Sequence, residues 1–238
     1  MKLDILVFAV HPDDAELGCS GTILKHIAAG RKVGIVDLTR GELGTRGSAE
    51  TRDQESARSA VILGLHAREN LRMKDGFFKN DEEHQLQIIR MIRKYRPTIV
   101  LSNACHDRHP DHGRAGDLVN DALFLSGLAK VKTDLDGEDQ VAWRPELLLQ
   151  YIQDRYIEPD ILIDITDFWD KKMESVHAFS TQFFNPDNDN DGTYISSPEF
   201  LKIIEARARD LGKYIGATYA EGFTSRKYLG VDDLFQLR

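Results

Sequence analysis

The chain has little cysteine. There are two, Cys19 and Cys105, in 238 residues, and no C-x-x-C pair. Two thiols make no disulfide framework; they suit a reducing compartment such as the cytoplasm and read as small, partly buried residues. No apolar run approaches the roughly 18 residues needed to cross a bilayer. The opening M-K-L-D-I-L-V-F-A-V has one early Lys but no small-residue cleavage site, so it reads as a first strand and not as a secretory signal. Positive charge is in the minority, with 31 Lys+Arg against 39 Asp+Glu and a net charge of −8. Such a surface repels phosphate backbones, which argues against nucleic acid as a partner but leaves room for a local basic patch. There is no internal repeat, low-complexity stretch or linker. The length, with 41% hydrophobic and 29% charged residues, fits one compact domain over residues 1–238 with a sizeable core.

What is present is an alternation of short apolar runs and helical patterns. Residues 3–10 and 32–38 suit buried strands, with a helix over 17–29 between them and Gly30 as its stop. A Gly-rich loop at 40–48 precedes a helix over 51–63, whose apolar side is Ala57, Ala60 and Val61 and which Gly64 ends. Leu86, Ile89, Ile92 and Tyr95 recur every third residue behind Asn80 and Glu83, which stand in a capping-box relation; Pro97 stops this helix. Further strands are predicted at 98–102, 146–152 and 161–165, and helices at 114–128, 167–180 and 198–211. Residues 134–139 read as a polar loop. Strands alternating with helices predict an α/β fold, three layers with a mostly parallel, Rossmann-like sheet covered on both faces.

Ligands of such sheets bind beyond the carboxyl ends of the strands. Three polar clusters fall there: His11-Pro12-Asp13-Asp14, the loop from Arg40 to Arg52, and H-D-R-H-P-D-H at 106–112. Imidazoles and carboxylates in this mixture suit zinc. His11 and Asp14, three apart across a strand-to-helix turn, can grip one ion, and a His from the second cluster completes a three-ligand site with a position open for water. Asp13 is then free to act as general base, and a spare His with Asp111 to stabilise an oxyanion or protonate a leaving amine. Spacing does not choose among His106, His109 and His112, nor exclude iron or cobalt.

Two other signals read as bland. Residues 187–192, D-N-D-N-D-G, begin like a calcium loop, but position 12 is Pro198 and not Glu, so a solvated loop is expected. Gly41, Gly44 and Gly47 match neither G-x-G-x-x-G nor a Walker loop, so they read as glycines bordering a pocket. The missing fingerprint counts against a nucleotide-binding protein. A non-catalytic metal binder would need neither Asp13 nor the His109/Asp111 pair.

A-V-H-P-D-D-A-E-L-G-C-S-G-T, with H-P-D-H about a hundred residues later, resembles the LmbE/PIG-L family of zinc-dependent N-acetylglucosamine deacetylases over nearly the whole chain. The strings at 38–52 and 216–223 are more similar to the bacillithiol-biosynthesis branch, which acts on N-acetylglucosaminyl malate. The resemblance implies one zinc per chain on His11, Asp14 and His112, with Asp13 as general base. His109, held by Asp111, would stabilise the oxyanion. Arg52 would bind substrate, with Glu42, Asp75 and Tyr194 near the sugar and Arg46 or Arg108 meeting the malate carboxylates. It also implies a cytoplasmic homo-oligomer, trimer or hexamer. Deacetylation of free N-acetylglucosamine or a chitin oligomer is the alternative within the family.

Overall fold

The computed structural model describes residues 1–184 and 192–237. The 187–192 signal therefore lies, except for Gly192, outside the described residues. The chain runs β1 (Ile5–Ala9), α1 (Asp14–Ala28), β2 (Val33–Asp37), α2 (Ala49–Leu63), β3 (Ala67–Asn70), α3 (Glu82–Tyr95), β4 (Ile99–Ser102) and α4 (Pro110–Ser126). It continues through β5 (Asp134–Leu135), β6 (Glu138–Asp139), β7 (Leu147–Tyr151), β8 (Ile161–Asp164), α5 (Trp169–His177), α6 (Pro198–Lys213) and β9 (Ala220–Thr224).

Seven strands form one sheet in the order β3-β2-β1-β4-β7-β9-β8. The first five are parallel; β9 runs antiparallel to both β7 and β8. The mostly parallel α/β sheet expected from the sequence is thus present. Strand periodicity builds its two faces. Ile5, Val7 and Ala9 join Cys19, Ile23, Val33 and Ile35 on the α1 side. Leu6, Phe8 and Val10 join Val36, Leu38, Ile89, Ile92 and Leu118 on the α3–α4 side. Each Val, Leu, Ile or Phe among them, fully buried, contributes about 1.5–3 kcal/mol.

Several expectations shift. The predicted polar loop at 134–139 is a two-rung antiparallel hairpin. The cap of α3 is Asp81, whose carboxylate accepts the His84 N–H, and not Asn80, which instead donates to Asp121 on α4 at 2.7 Å. Helix α4 begins at Pro110, a full turn before the predicted start, because Pro is well placed in a first turn and His109 serves as the cap. The predicted apolar side of α2 is wrong: Val61 is 82% exposed, and the buried residues are Arg52, Glu55, Ser56, Ser59 and Leu63.

One buried ion pair ties distant parts together. Lys172 donates to the carbonyls of Glu16 and Leu17 and, at 2.8 Å, to Glu221. Glu221 in turn accepts the N–H groups of Gly21 and Thr22. No helix among the described residues is long and apolar enough to cross a membrane.

Candidate active site

Strand β1 has β2 on one side and β4 on the other, so the chain reverses direction across the sheet between β1 and β4. A crevice opens at such a switch point beyond the strand ends. Both histidine clusters lead out of it, and they border a cavity of about 470 Å3.

The turn after β1 carries His11 to Asp14. Asp14 opens α1, and each of its oxygens faces one histidine: Oδ2 lies 3.5 Å from His11 Nδ1 and Oδ1 lies 3.2 Å from His112 Nε2. Three neutral donors hold the carboxylate, namely the His11 backbone N–H, Asn103 Nδ2 and Gln153 Nε2, each at 3.0 Å. His109 completes a trio in which His11, His109 and His112 each bring a ring nitrogen within 4.8 Å of the others. His106 is exposed and does not border the cavity. The structure therefore narrows the three histidines of the second cluster to two.

The outer nitrogens of the histidines are also held. His11 Nε2 meets Asp75 Oδ1 at 3.0 Å, and His112 Nδ1 meets Asp107 Oδ2 at 2.6 Å. Burial disfavours charge on His11, but Asp14 and Asp75 outweigh it and raise the imidazole to about 10. His112 rises to about 9, burial again opposing and Asp14 and Asp107 prevailing. Burial resists ionisation of Asp14 too, yet the two imidazoles hold it well below the usual carboxylate range. Without metal the two rings thus gather protons where a dication's charge would sit. Two imidazoles and a carboxylate converging, each imidazole backed by a second carboxylate, are a donor set that fits a divalent metal.

Asp13 occupies the same turn at φ 135°, outside the regions that residues with a Cβ favour. Such backbone costs of order 1–3 kcal/mol and persists only where surroundings enforce it. Here Arg52 enforces it: its Nη2 donates to Pro12 O at 2.5 Å and lies 3.2 Å from Asp13 Oδ2. Gly41 makes room for that guanidinium; at φ +64° it would place a Cβ 2.9 Å from Arg52 Cζ. Burial lifts the Asp13 carboxyl to about 7, with Arg52 pulling it down and Asp14 pushing it up. A carboxyl poised near neutrality beside a ligand set suits a general base.

His109 caps α4, its Nδ1 accepting the Asp111 N–H at 3.3 Å. Burial and the charges of His11 and His112 depress its pKa. The neutral ring then carries its proton on Nε2, as a donor to an oxyanion must. Asp111 differs from the expectation. Its carboxylate accepts from Gly76 N and Arg114 Nη1 and not from the His109 ring, which it touches through the backbone alone.

The remaining residues divide. Asp75 borders the cavity but is spent on His11 and on the Leu43 N–H. Glu42 does not border it and accepts the Asp75 N–H from outside. Arg52 borders it, and its buried Nε has no acceptor among the described residues. Arg108 sits 4.7 Å over the Tyr194 ring at the rim, and both bind Asp154. Arg46 and Arg207 border the same space. The sequence reading missed Asn103, Asp107, Gln153 and Arg207. Gln153 and Asp154 follow directly on β7, so the same strand-end rule that found His11 would have found them.

A family model described as GlcNAc-PI de-N-acetylase, PIG-L, matches residues 6–123. The chain is 31% identical over 229 residues to a diacetylchitobiose deacetylase of Thermococcus kodakarensis, covering 92% of this chain and 81% of that one. It is 27% identical to a probable N-acetyl-alpha-D-glucosaminyl L-malate deacetylase 2 of Bacillus subtilis, covering 76% and 84%. The crystal structure of a conserved protein from Thermus thermophilus superposes with a TM-score of 0.84 at 38% identity, over 97% of this chain and 98% of that one. With the crevice, the ligand set and the buried Asp13 in place, these likenesses agree: the chain belongs to the PIG-L/LmbE family of deacetylases.

Proposed function

We propose that this enzyme hydrolyses the N-acetyl group of an N-acetylglucosamine conjugate, with zinc held by His11, Asp14 and His112, one per chain. The observation that carries the reading is the placement of Asp13, a buried carboxyl between His11 and Asp14 in sequence, pinned there by Arg52. When bound, the metal supplies Lewis acidity at the reacting carbonyl and water. Asp13 takes the proton of the attacking water. His109 donates a hydrogen bond from Nε2 to the oxygen that gains charge, and Asp13 hands the proton it took from water to the departing amine. Arg52 holds Asp13 in its strained turn and borders the space that substrate would fill.

The conjugate we favour is N-acetylglucosaminyl L-malate. Four arginines, Arg46, Arg52, Arg108 and Arg207, border the cavity, a wall suited to carboxylates. The second reading is a chitin oligomer, favoured by the 31% identity to the diacetylchitobiose deacetylase. Side-by-side acetate release from the malate conjugate, diacetylchitobiose and free N-acetylglucosamine separates them: preference for the first supports the arginine wall, and preference for the second assigns it another role. In either case Asp13→Asn should lower kcat by roughly 10²–10⁴ with metal content unchanged. Full activity in that variant refutes the assigned base.

A further inference from the structure

The two imidazoles that flank Asp14 turn opposite nitrogens toward it, Nδ1 from His11 and Nε2 from His112. Each histidine has its remaining nitrogen on a carboxylate from another segment, Asp75 for His11 and Asp107 for His112. Each carboxylate is itself anchored through its second oxygen by a backbone N–H: Leu43 to Asp75 Oδ2 at 3.0 Å, and Arg155 to Asp107 Oδ1 at 2.7 Å. Both carboxylates are buried.

We infer that Asp75 and Asp107 are positioning residues that fix opposite tautomers of the two metal-holding histidines. A carboxylate only accepts. With metal bound and each ring holding one proton, it therefore keeps the proton of His11 on Nε2 and that of His112 on Nδ1, and leaves Nδ1 of the one and Nε2 of the other as lone pairs aimed at the same point. Neither residue acts on substrate; Asp75, assigned to the sugar on the sequence resemblance, works through His11. The inference rests on the ligand set proposed above.

The anchoring amides make the idea testable in an unusual direction. In Asp107→Asn the Arg155 N–H claims the amide oxygen, so the NH2 group must face His112 Nδ1. That forces the proton onto Nε2, where it blocks the metal. Asp75→Asn does the same to His11 through the Leu43 N–H. Alanine at either position removes the constraint without enforcing the wrong tautomer. Zinc dissociation constants, measured by competition with a chromophoric chelator, should therefore weaken roughly 10–100-fold in the Asn variants. The Ala variants should weaken no more than the Asn ones. A merely space-filling or structural role gives the reverse order, near-neutral Asn and damaging Ala, and overturns the inference. Thermal midpoints of the metal-free variants check that they fold.

A second measurement needs no variant. In zinc-loaded wild-type protein, ¹⁵N–¹H correlation spectra of the imidazoles should show a proton on Nε2 of His11 and on Nδ1 of His112. The opposite pattern for either ring overturns the assignment for that ring. If wild-type protein binds no zinc at all, the ligand set itself fails; if it binds zinc and the Asn variants bind equally well, only the tautomer inference fails.

Discussion

Helices α2 and α3 are nearly equal in length, 15 and 14 residues, and both lie between parallel strands. Their buried faces have opposite chemistry. Helix α3 turns Ile88, Ile89, Met91, Ile92 and Tyr95 inward. Helix α2 turns Arg52, Glu55, Ser56 and Ser59 inward and leaves Val61 in solvent. The partners explain the inversion. Opposite α3 is the apolar sheet face carrying Leu6, Phe8 and Val36. Opposite α2 are polar groups in need of partners: Asp13, Glu16 and the Thr181 N–H, met by Arg52, Ser59 and Glu55 in that order. A buried helix face is thus hydrophobic where it supports the sheet and polar where it supports the chemistry.

Substitutions on the two helices should separate stability from catalysis. The largest effect is expected for Ile89→Ala, a fully buried side chain, at about 2–5 kcal/mol of unfolding free energy by denaturant titration. Activity per folded molecule should stay at the wild-type level; a large change there would break the contrast. Arg52→Leu comes next. Arg52 holds the Asp13 pKa down, so its removal raises that pKa and leaves the base protonated at neutral pH. Activity at pH 7 should fall about tenfold for each unit of rise and recover toward alkaline pH, shifting the acidic limb of the kcat/KM profile upward. A loss equal at all pH values would confine Arg52 to substrate contact. Ser59→Ala removes one donor from buried Glu16, which keeps Arg68 Nη1 at 2.6 Å, and should cost about 1 kcal/mol. Val61→Ser should change stability by less than about 0.5 kcal/mol. A larger cost would restore the apolar face that the sequence suggested for α2.

The same contrast governs what was legible in the sequence. Strands β1, β2 and β4 announce themselves because both their faces are apolar, and α3 because its stripe repeats. Strand β3 has the sequence A-R-E-N and escaped notice: its Arg68 forks onto Asp37 and also reaches Glu16, so polar networks do the work of a core there. Strand β9, A-E-G-F-T, hides behind Glu221, which is buried among Lys172 and the N–H groups of Gly21 and Thr22. Within the site, H-P-D-D and H-P-D-H were readable as short motifs. Asn103, Asp107 and Gln153 lie at strand ends or within the second cluster, where the strand-end rule points, but their roles were not readable, because each reaches a ligand through the fold. Glu42 was assigned by resemblance, and Asp111 first as the partner of a spare histidine; their carboxylates accept from the backbone of Asp75 and Gly76.

The Lys172–Glu221 pair bears on how far this enzyme can be cut down. The carbonyl of Leu17 accepts from the lysine, and the amide of Gly21, four residues on, donates to the glutamate. Both lie in the first helix, one turn beyond Asp14, whereas their partners come from the last third of the polypeptide. A fragment ending near residue 123, which would retain both histidine motifs, would lose these bonds and uncover the helix that they hold. Anyone seeking a minimal deacetylase, or grafting a new specificity by exchanging the carboxyl-terminal portion, would have to carry that lysine and that glutamate along.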